Sequence, residues 1–187
     1  MSDDVPLLTK ERILTALDAL SSRLKEKCVT GELCALAGAT MILVFDARET
    51  TRDINAVFVP KTEIYHAAEV IAHDMELPLS RLNDGMKGLV SADGELTEAG
   101  MPQWENLRIL CPSTRYLLAI TCMASPVANY DGTGDRSDII HLCKSHGITS
   151  AEEVFDLIEG YYPASRIPVK TQFFITELID ELKGRVS

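Results

Sequence analysis

The sequence predicts a mixed α/β protein whose carboxyl-terminal part is helical. Three segments have the length and apolar content of buried strands, residues 32–37, 54–59 and 107–111. Apolar residues recur at helical spacing over residues 9–27 and over much of the chain after residue 113. Strands that alternate with helices, followed by helices alone, indicate a mixed sheet flanked by helices with a helical carboxyl-terminal part.

Capping and breaking residues bound the elements of the front half. Thr9 is expected to cap the first helix, because a threonine hydroxyl accepts a bond from an unpaired N–H at a helix start. Gly38 is expected to end the first strand, before a short apolar helix at residues 39–45. Pro60 closes the second strand, and Thr62 is expected to cap the helix that follows it.

Four helices are expected in the back half, at about residues 113–124, 135–145, 150–161 and 169–183. Gly147 suits the left-handed stop after the second of them. Two overlapping capping boxes precede the third, Thr149 with Glu152 and Ser150 with Glu153. We therefore divide the chain into an α/β core at residues 1–112 and a helical region at 113–187, packed as one globular unit.

The composition restricts the classes of partner. The 187 residues carry a net charge of −10, which disfavours binding to DNA, because such binding depends on Lys and Arg. No apolar run reaches the roughly 20 residues that a membrane-spanning helix needs, and the acidic segment Met1-Ser2-Asp3-Asp4 lacks the basic-then-apolar pattern expected of a signal peptide. The five cysteines are scattered, as expected for free thiols in a reducing compartment, so we expect a cytoplasmic protein.

The segment from Arg48 to Asn55 is the most informative part of the chain. In a strand, side chains two residues apart share a face, so Asp53 and Asn55 should point the same way. Gly38 precedes them by a short helix. A carboxylate and an amide oxygen beside a glycine turn suit a hard divalent cation that carries a phosphate. The alternative is structural, with Asp53 paired to Arg48 or Arg52 and Asn55 capping a turn.

The order of several short motifs resembles a family of bacterial nucleotidyltransferase-fold proteins. The motifs are Ala37-Gly38-Ala39-Thr40, then Arg48, Thr51 and Asp53-Ile54-Asn55, then the segments 77–88 and 117–120, and last Asp131, Asp135 and Asp138-Ile139. The family includes the minimal nucleotidyltransferases and the AbiEii-like toxins, and the DUF6036 group is the most similar. The resemblance covers about residues 10 to 165.

This resemblance implies an enzyme that moves a nucleoside monophosphate from a nucleoside triphosphate to a hydroxyl acceptor with Mg²⁺. It implies that Asp53 and Asn55 are the catalytic and metal-binding residues. It also implies that five residues bind the nucleotide, Gly38, Ala39, Thr40, Arg48 and Thr51. A third acid is expected from Asp131, Asp135 or Asp138, or from Glu105 near the third strand.

Four positions depart from the family pattern. Ala39 replaces a second glycine or serine, Asn55 an aspartate, Thr121 a lysine and Pro126 an arginine. One carboxylate and one amide predict a single weak Mg²⁺ site. The alternative function is therefore an inactive binding or regulatory protein with a protein partner, such as a member of a toxin–antitoxin or phage-defence pair. The oligomeric state is left open by the sequence.

Overall fold

The computed structural model describes residues 7–78, 81–98, 100–125 and 133–184, with the backbone alone for 133 and 134. The described residues confirm a mixed α/β fold with a helical carboxyl-terminal part. They fall into two compact units. The first combines residues up to 87 with 96–111, and the second combines 88–95 with residues from 112 onward. The predicted domain boundary at residue 112 stays a prediction.

The first unit contains three helices and seven strands among its described residues. In chain order they are β1 (Leu8–Thr9), α1 (Lys10–Glu26), β2 (Gly31–Leu36), α2 (Gly38–Leu43), β3 (Thr50–Thr51), β4 (Ile54–Val59), α3 (Lys61–Asp74), β5 (Leu82–Asn83), β6 (Leu96–Thr97) and β7 (Leu107–Pro112). Five of the strands form one sheet in the order β5-β4-β2-β7-β6, and β1 pairs with β3.

The directions of the strands determine which strand ends lie next to each other. The central strand β2 is antiparallel to β4, with Leu36 opposite Asn55. It is parallel to β7, with Gly31 opposite Leu107. On the far side of β4, the short strand β5 runs parallel and places Asn83 opposite Asn55. The end of β2, the start of β4 and the end of β5 therefore lie side by side.

The core of the first unit forms where α1 and α3 cover the sheet. In α1, Ile13, Leu17, Leu20 and Leu24 recur at helical spacing and are all buried. Each such side chain contributes about 2 kcal/mol relative to an exposed one. The helix begins as predicted, since the Thr9 hydroxyl accepts a bond from the Arg12 N–H. The predicted Thr62 cap is wrong, because α3 already begins at Lys61 and Pro60 precedes it.

The second unit is built around α4. Its helices are α4 (Thr114–Ala124), α5 (Thr133–Ser145), α6 (Ala151–Glu159) and α7 (Val169–Gly184). Residues 116–123 of α4 are all buried, and α4 packs against the other three helices. Gly147 has the predicted left-handed backbone, with φ of 66°. Of the two predicted capping boxes, only Ser150 with Glu153 forms, and the prediction of Thr149 with Glu152 is wrong.

Candidate functional site

The candidate site lies where β2 ends, β4 begins and β5 ends. Asp53 directly precedes β4, and Asn55 is its second residue. Both side chains are half-buried, whereas Ile54, Ala56 and Phe58 on the other face of β4 are buried in the core. The alternation of β4 therefore turns Asp53 and Asn55 away from the core, as their spacing predicted.

Two amides hold the Asp53 carboxylate. The Asn55 Nδ2 donates to Asp53 Oδ1 over 3.3 Å, and the Asn83 Nδ2 donates to Asp53 Oδ2 over 3.0 Å. The backbone N–H of Gly85 donates to the Asn83 Oδ1 over 3.0 Å. This third bond orients the Asn83 amide, since its oxygen is engaged and its NH₂ group must face Asp53. Asn83 thus belongs to the site, although the sequence analysis named it only within the matching segment 77–88.

Gly38, Arg48 and Thr51 also come together, as predicted. A Cβ atom at Gly38 would lie 2.8 Å from the Arg48 Nη1 and 2.9 Å from the Thr51 Oγ1. Only glycine leaves room for this approach of the two side chains to its backbone. The Thr51 hydroxyl also donates to the Asp53 carbonyl oxygen over 3.2 Å, so the residues before β4 are fixed against the turn that begins α2.

Ala39 and Thr40 are placed differently from the other predicted ligands. Both side chains are buried, and the Thr40 hydroxyl donates to the Ala35 carbonyl oxygen over 2.8 Å. The Thr40 side chain therefore stabilises the strand-to-helix turn from inside. Any contact of Ala39 or Thr40 with a ligand has to come from the backbone.

Arg81, from a distant part of the chain, interacts electrostatically with Asp53. Arg81 is 9% exposed, and burial lowers the pKa of its guanidinium. The Asp53 carboxylate opposes this lowering of the pKa, whereas the positive charges of Arg12 and Arg52 add to it. Arg81 thus interacts with one anion, Asp53, and with two further arginines, in a chain whose net charge is −10. Sequence reasoning missed Arg12 and Arg81, which lie far from the motif along the chain.

The side chains around Asp53 suit one cation better than two. Among the described residues, no three His, Cys, Asp or Glu side chains lie close enough to hold a metal ion. Asp53 supplies one carboxylate, and the Asn55 amide has to rotate to present its oxygen. A Mg²⁺ ion accepts such a set, because it is commonly bound by one or two protein oxygens plus water and phosphate. Asp53 and Asn55 would thus supply at most two protein oxygens to one such ion.

Of the candidates for a third acid, Glu105 lies far from Asp53 in the first unit. Glu105 forms an ion pair with Lys25 over 2.6 Å. It lies just before β7, whose first residue, Leu107, is paired with Gly31 at the start of β2. Asp53 lies near the other end of β2, and five strand residues span roughly 17 Å. Asp135 and Asp138 belong to the second unit, and Asp131 lies outside the described residues. The expectation that Glu105 supplies the third acid is therefore wrong.

Of the four departures from the family pattern, Ala39 and Asn55 lie in the first unit, at the site described above, and Thr121 lies in the second unit. Thr121 is buried in α4, and its hydroxyl has no partner among the described residues. Pro126 lies outside the described residues. Neither residue carries the positive charge that the family's lysine and arginine would bring to a phosphate.

Asp84, the neighbour of Asn83, is engaged by two donors from α3. The Lys61 Nζ lies 2.6 Å from Asp84 Oδ2, and the Tyr65 hydroxyl donates to Asp84 Oδ1 over 3.1 Å. The bond from Lys61, and after it the bond from Tyr65, lowers the pKa of the Asp84 carboxyl. The same bond raises the pKa of Lys61. Asp84 therefore anchors β5 to α3 and is a structural neighbour of the site.

The substitution Asp84→Asn is expected to flatten the pH dependence of stability. The pKa of Asp84 is lower in the folded chain than in the unfolded chain, where it is about 3.9. Its contribution is complete above that value and is lost as pH falls through the folded pKa. The pKa of Lys61 is raised, so its contribution is lost as pH rises through the folded value above about 10.4. Urea midpoints measured across both pH ranges give the pH dependence of stability. Glu49→Gln is the control, because it neutralises an exposed carboxylate. The expectation would be contradicted if the urea midpoint changed with pH equally in the wild type and in Asp84→Asn.

Comparisons with models of protein families, with curated proteins and with solved structures find no match to this chain. The class of protein is accordingly defined by the fold and the site alone. It is a mixed α/β protein in which two amides hold the Asp53 carboxylate near a glycine turn. No helix within the described ranges is both long and apolar enough to cross a membrane.

Proposed function

We propose that the first unit binds a nucleoside triphosphate with Mg²⁺ and transfers its nucleoside monophosphate to a hydroxyl acceptor. The observation that carries this proposal is the setting of Asp53. One carboxylate is held by two amides, interacts with the positive charge of Arg81 and stands beside the Gly38 turn. Positive charges attract phosphate oxygens, and the carboxylate supplies the anionic oxygen that a hard cation requires.

The residues have distinct roles in this proposal. Asp53 is the metal ligand, and Asn55 is an auxiliary ligand through its amide oxygen. Arg48 and Thr51, next to Gly38, contact phosphate, and Arg81 maintains the positive potential around the site. When bound, Mg²⁺ supplies charge neutralisation on the phosphates. The chain itself positions the nucleotide, since transfer of this type needs little covalent help from protein groups.

The proposed transfer forms one bond to the α-phosphorus of the nucleotide and breaks another. The acceptor oxygen forms a bond to the α-phosphorus, and the bond from that phosphorus to the bridging oxygen breaks. Pyrophosphate leaves with the electron pair, and the acceptor proton passes to solvent. The chain has to hold the acceptor hydroxyl in line with the leaving oxygen, and the acceptor is proposed here only as a hydroxyl of protein, RNA or a small molecule.

A second candidate function is nucleotide binding without transfer, in a regulatory protein that acts on a protein partner. The specific observation that favours it is that both oxygens of Asp53 already accept bonds from amides. Amides at Asn55 and Asn83 add no negative charge, so the site holds one anionic group where two-metal transfer sites use several. A partner in a toxin–antitoxin or phage-defence pair would suit this function.

The substitution Asn55→Asp separates the two candidates. We expect it to raise an existing transfer activity, because a second carboxylate increases the affinity for Mg²⁺. The measurement is pyrophosphate release from each of ATP, GTP, CTP and UTP, together with labelling of protein and RNA fractions. Asp46→Asn is the matched control, because Asp46 is exposed and pairs only with Lys10 among the contacts described.

Each outcome of this experiment supports only one of the two candidate functions or contradicts the site itself. Activity in the wild type that rises with Asn55→Asp and disappears with Asp53→Ala supports transfer. Nucleotide binding with no product from either the wild type or Asn55→Asp supports the second candidate. Equal activity in Asp53→Ala and the wild type would contradict the assignment of the site to Asp53.

A further inference from the structure

Helix α7 carries an unusual outer face. Its inner side chains, Thr171, Ile175, Leu178 and Ile179, are buried in the second unit. On the opposite side Val169 is 63% exposed and Phe173 is 73% exposed. The two are four residues apart and so lie one above the other on the helix surface. Since the inner residues already attach α7 to its unit, Val169 and Phe173 add nothing to that packing.

Carboxylates continue the same face toward the end of the helix. Phe173, Thr176, Glu177, Asp180 and Glu181 together line a shallow groove on this side of α7. At helical rise, Asp180 lies about 10 Å beyond Phe173 along the axis. We call this surface, from Val169 to Glu181, the α7 face. It has an apolar end and an acidic end.

The acidic end is locally unfavourable for α7. Negative charges near the carboxyl end of a helix are destabilised by the helix dipole, and Asp180 and Glu181 lie within about a turn of that end. Arg136 forms an ion pair with Glu181. Glu177 and Asp180 form no ion pair within the part of the chain that the structure describes. A cation from outside the chain would stabilise both carboxylates.

We propose that the α7 face binds an amphipathic helix of a protein partner that carries basic residues. The apolar side of that helix covers Val169 and Phe173, and its Lys or Arg side chains lie about one to two turns further along, against Glu177 and Asp180. This charge complementarity selects a basic helix. It also disfavours a second copy of this chain, whose own α7 face is acidic and whose net charge is −10. The proposal does not depend on nucleotide binding by the first unit.

The test uses a labelled synthetic amphipathic helix composed of leucine and lysine, with a leucine–glutamate helix as the reference probe. Fluorescence anisotropy is expected to show saturable binding of the basic peptide only. Phe173→Ser is expected to weaken it about tenfold or more, because burial of a phenylalanine side chain is lost. The double variant Glu177→Gln with Asp180→Asn should also weaken it and reduce its salt dependence.

Two controls keep the outcome specific to the α7 face. Val70→Ser removes an apolar side chain that is 42% exposed on α3. Glu152→Gln with Glu159→Gln removes two carboxylates from α6. Both controls should bind the peptide as the wild type does, and circular dichroism should show every variant folded. Equal weakening by the controls, binding of the acidic peptide, or self-association that Phe173→Ser abolishes would overturn the proposal.

Discussion

Replacing Gly94 with alanine is expected to lower the free energy of unfolding by about 3 kcal/mol or more. A Cβ atom at Gly94 would lie 2.2 Å from Cε1 and 2.4 Å from Cζ of Tyr116. The Tyr116 ring has no exposed surface, and its hydroxyl accepts a bond from the Ser91 N–H over 2.7 Å. The ring is also in contact with Tyr161, with 5.0 Å between the centroids. Because the ring is held on several sides, the added methyl group must displace the backbone.

Urea or thermal unfolding of the full chain measures this loss, which corresponds to about 6–12 °C in Tm at this chain length. Gly88→Ala is the matched control, because nothing lies within 4 Å of a Cβ at Gly88. In a Tyr116→Ala background, the same change at Gly94 should cost much less, since the clashing ring is absent. A Gly94→Ala variant as stable as Gly88→Ala would show that the Tyr116 ring can move aside.

Replacing Asp53 with alanine is expected to reduce the affinity for a Mg²⁺–nucleotide complex by about 100-fold or more. Even the outer partners of a metal ligand are typically worth 10–100-fold, and Asp53 is proposed to bind the ion directly. In the absence of Mg²⁺ we expect the opposite result, with Asp53→Ala binding an anion more tightly than the wild type does. Inorganic phosphate should stabilise Asp53→Ala more than the wild type, because a carboxylate no longer offsets the positive charge of Arg81.

Calorimetric titration with and without Mg²⁺ measures both effects. Asp46→Ala is the control, since it removes the same charge from an exposed position of the same unit. The opposite signs expected with and without the metal separate a metal ligand from a carboxylate that only neutralises arginines. Equal affinity of Asp53→Ala and Asp46→Ala for the Mg²⁺–nucleotide complex would contradict the proposed role of Asp53.

The parts of the site that the sequence predicted lie close together along the chain. Gly38, Arg48, Thr51, Asp53 and Asn55 span 18 residues, between two strands whose apolar patterns are unambiguous. A short connection between neighbouring antiparallel strands keeps such residues near each other, so their proximity follows from the local sequence. The alternation along β4 also predicted correctly that Asp53 and Asn55 share a face of the strand.

The parts that the sequence missed depend on strand pairing over long distances. Asn83 reaches Asp53 through β5, a strand of only two residues that has no periodic signal of its own. Glu105 was expected near the site, but β7 runs parallel to β2 and places it at the opposite end. Neither the pairing of β5 nor the direction of β7 can be predicted from apolar patterns, because these report which faces of a strand are buried and not which strand lies beside it.

The most direct test of the central claim is a thermal-shift titration of the wild-type chain with ATP, GTP, CTP and UTP, each with and without Mg²⁺. A ligand at 100 times its dissociation constant stabilises the folded state by about 2.7 kcal/mol, or roughly 5–11 °C at this chain length. We expect an increase in Tm that requires Mg²⁺ for at least one nucleotide. No increase with any of the four at millimolar concentration would contradict a nucleotide site at Asp53.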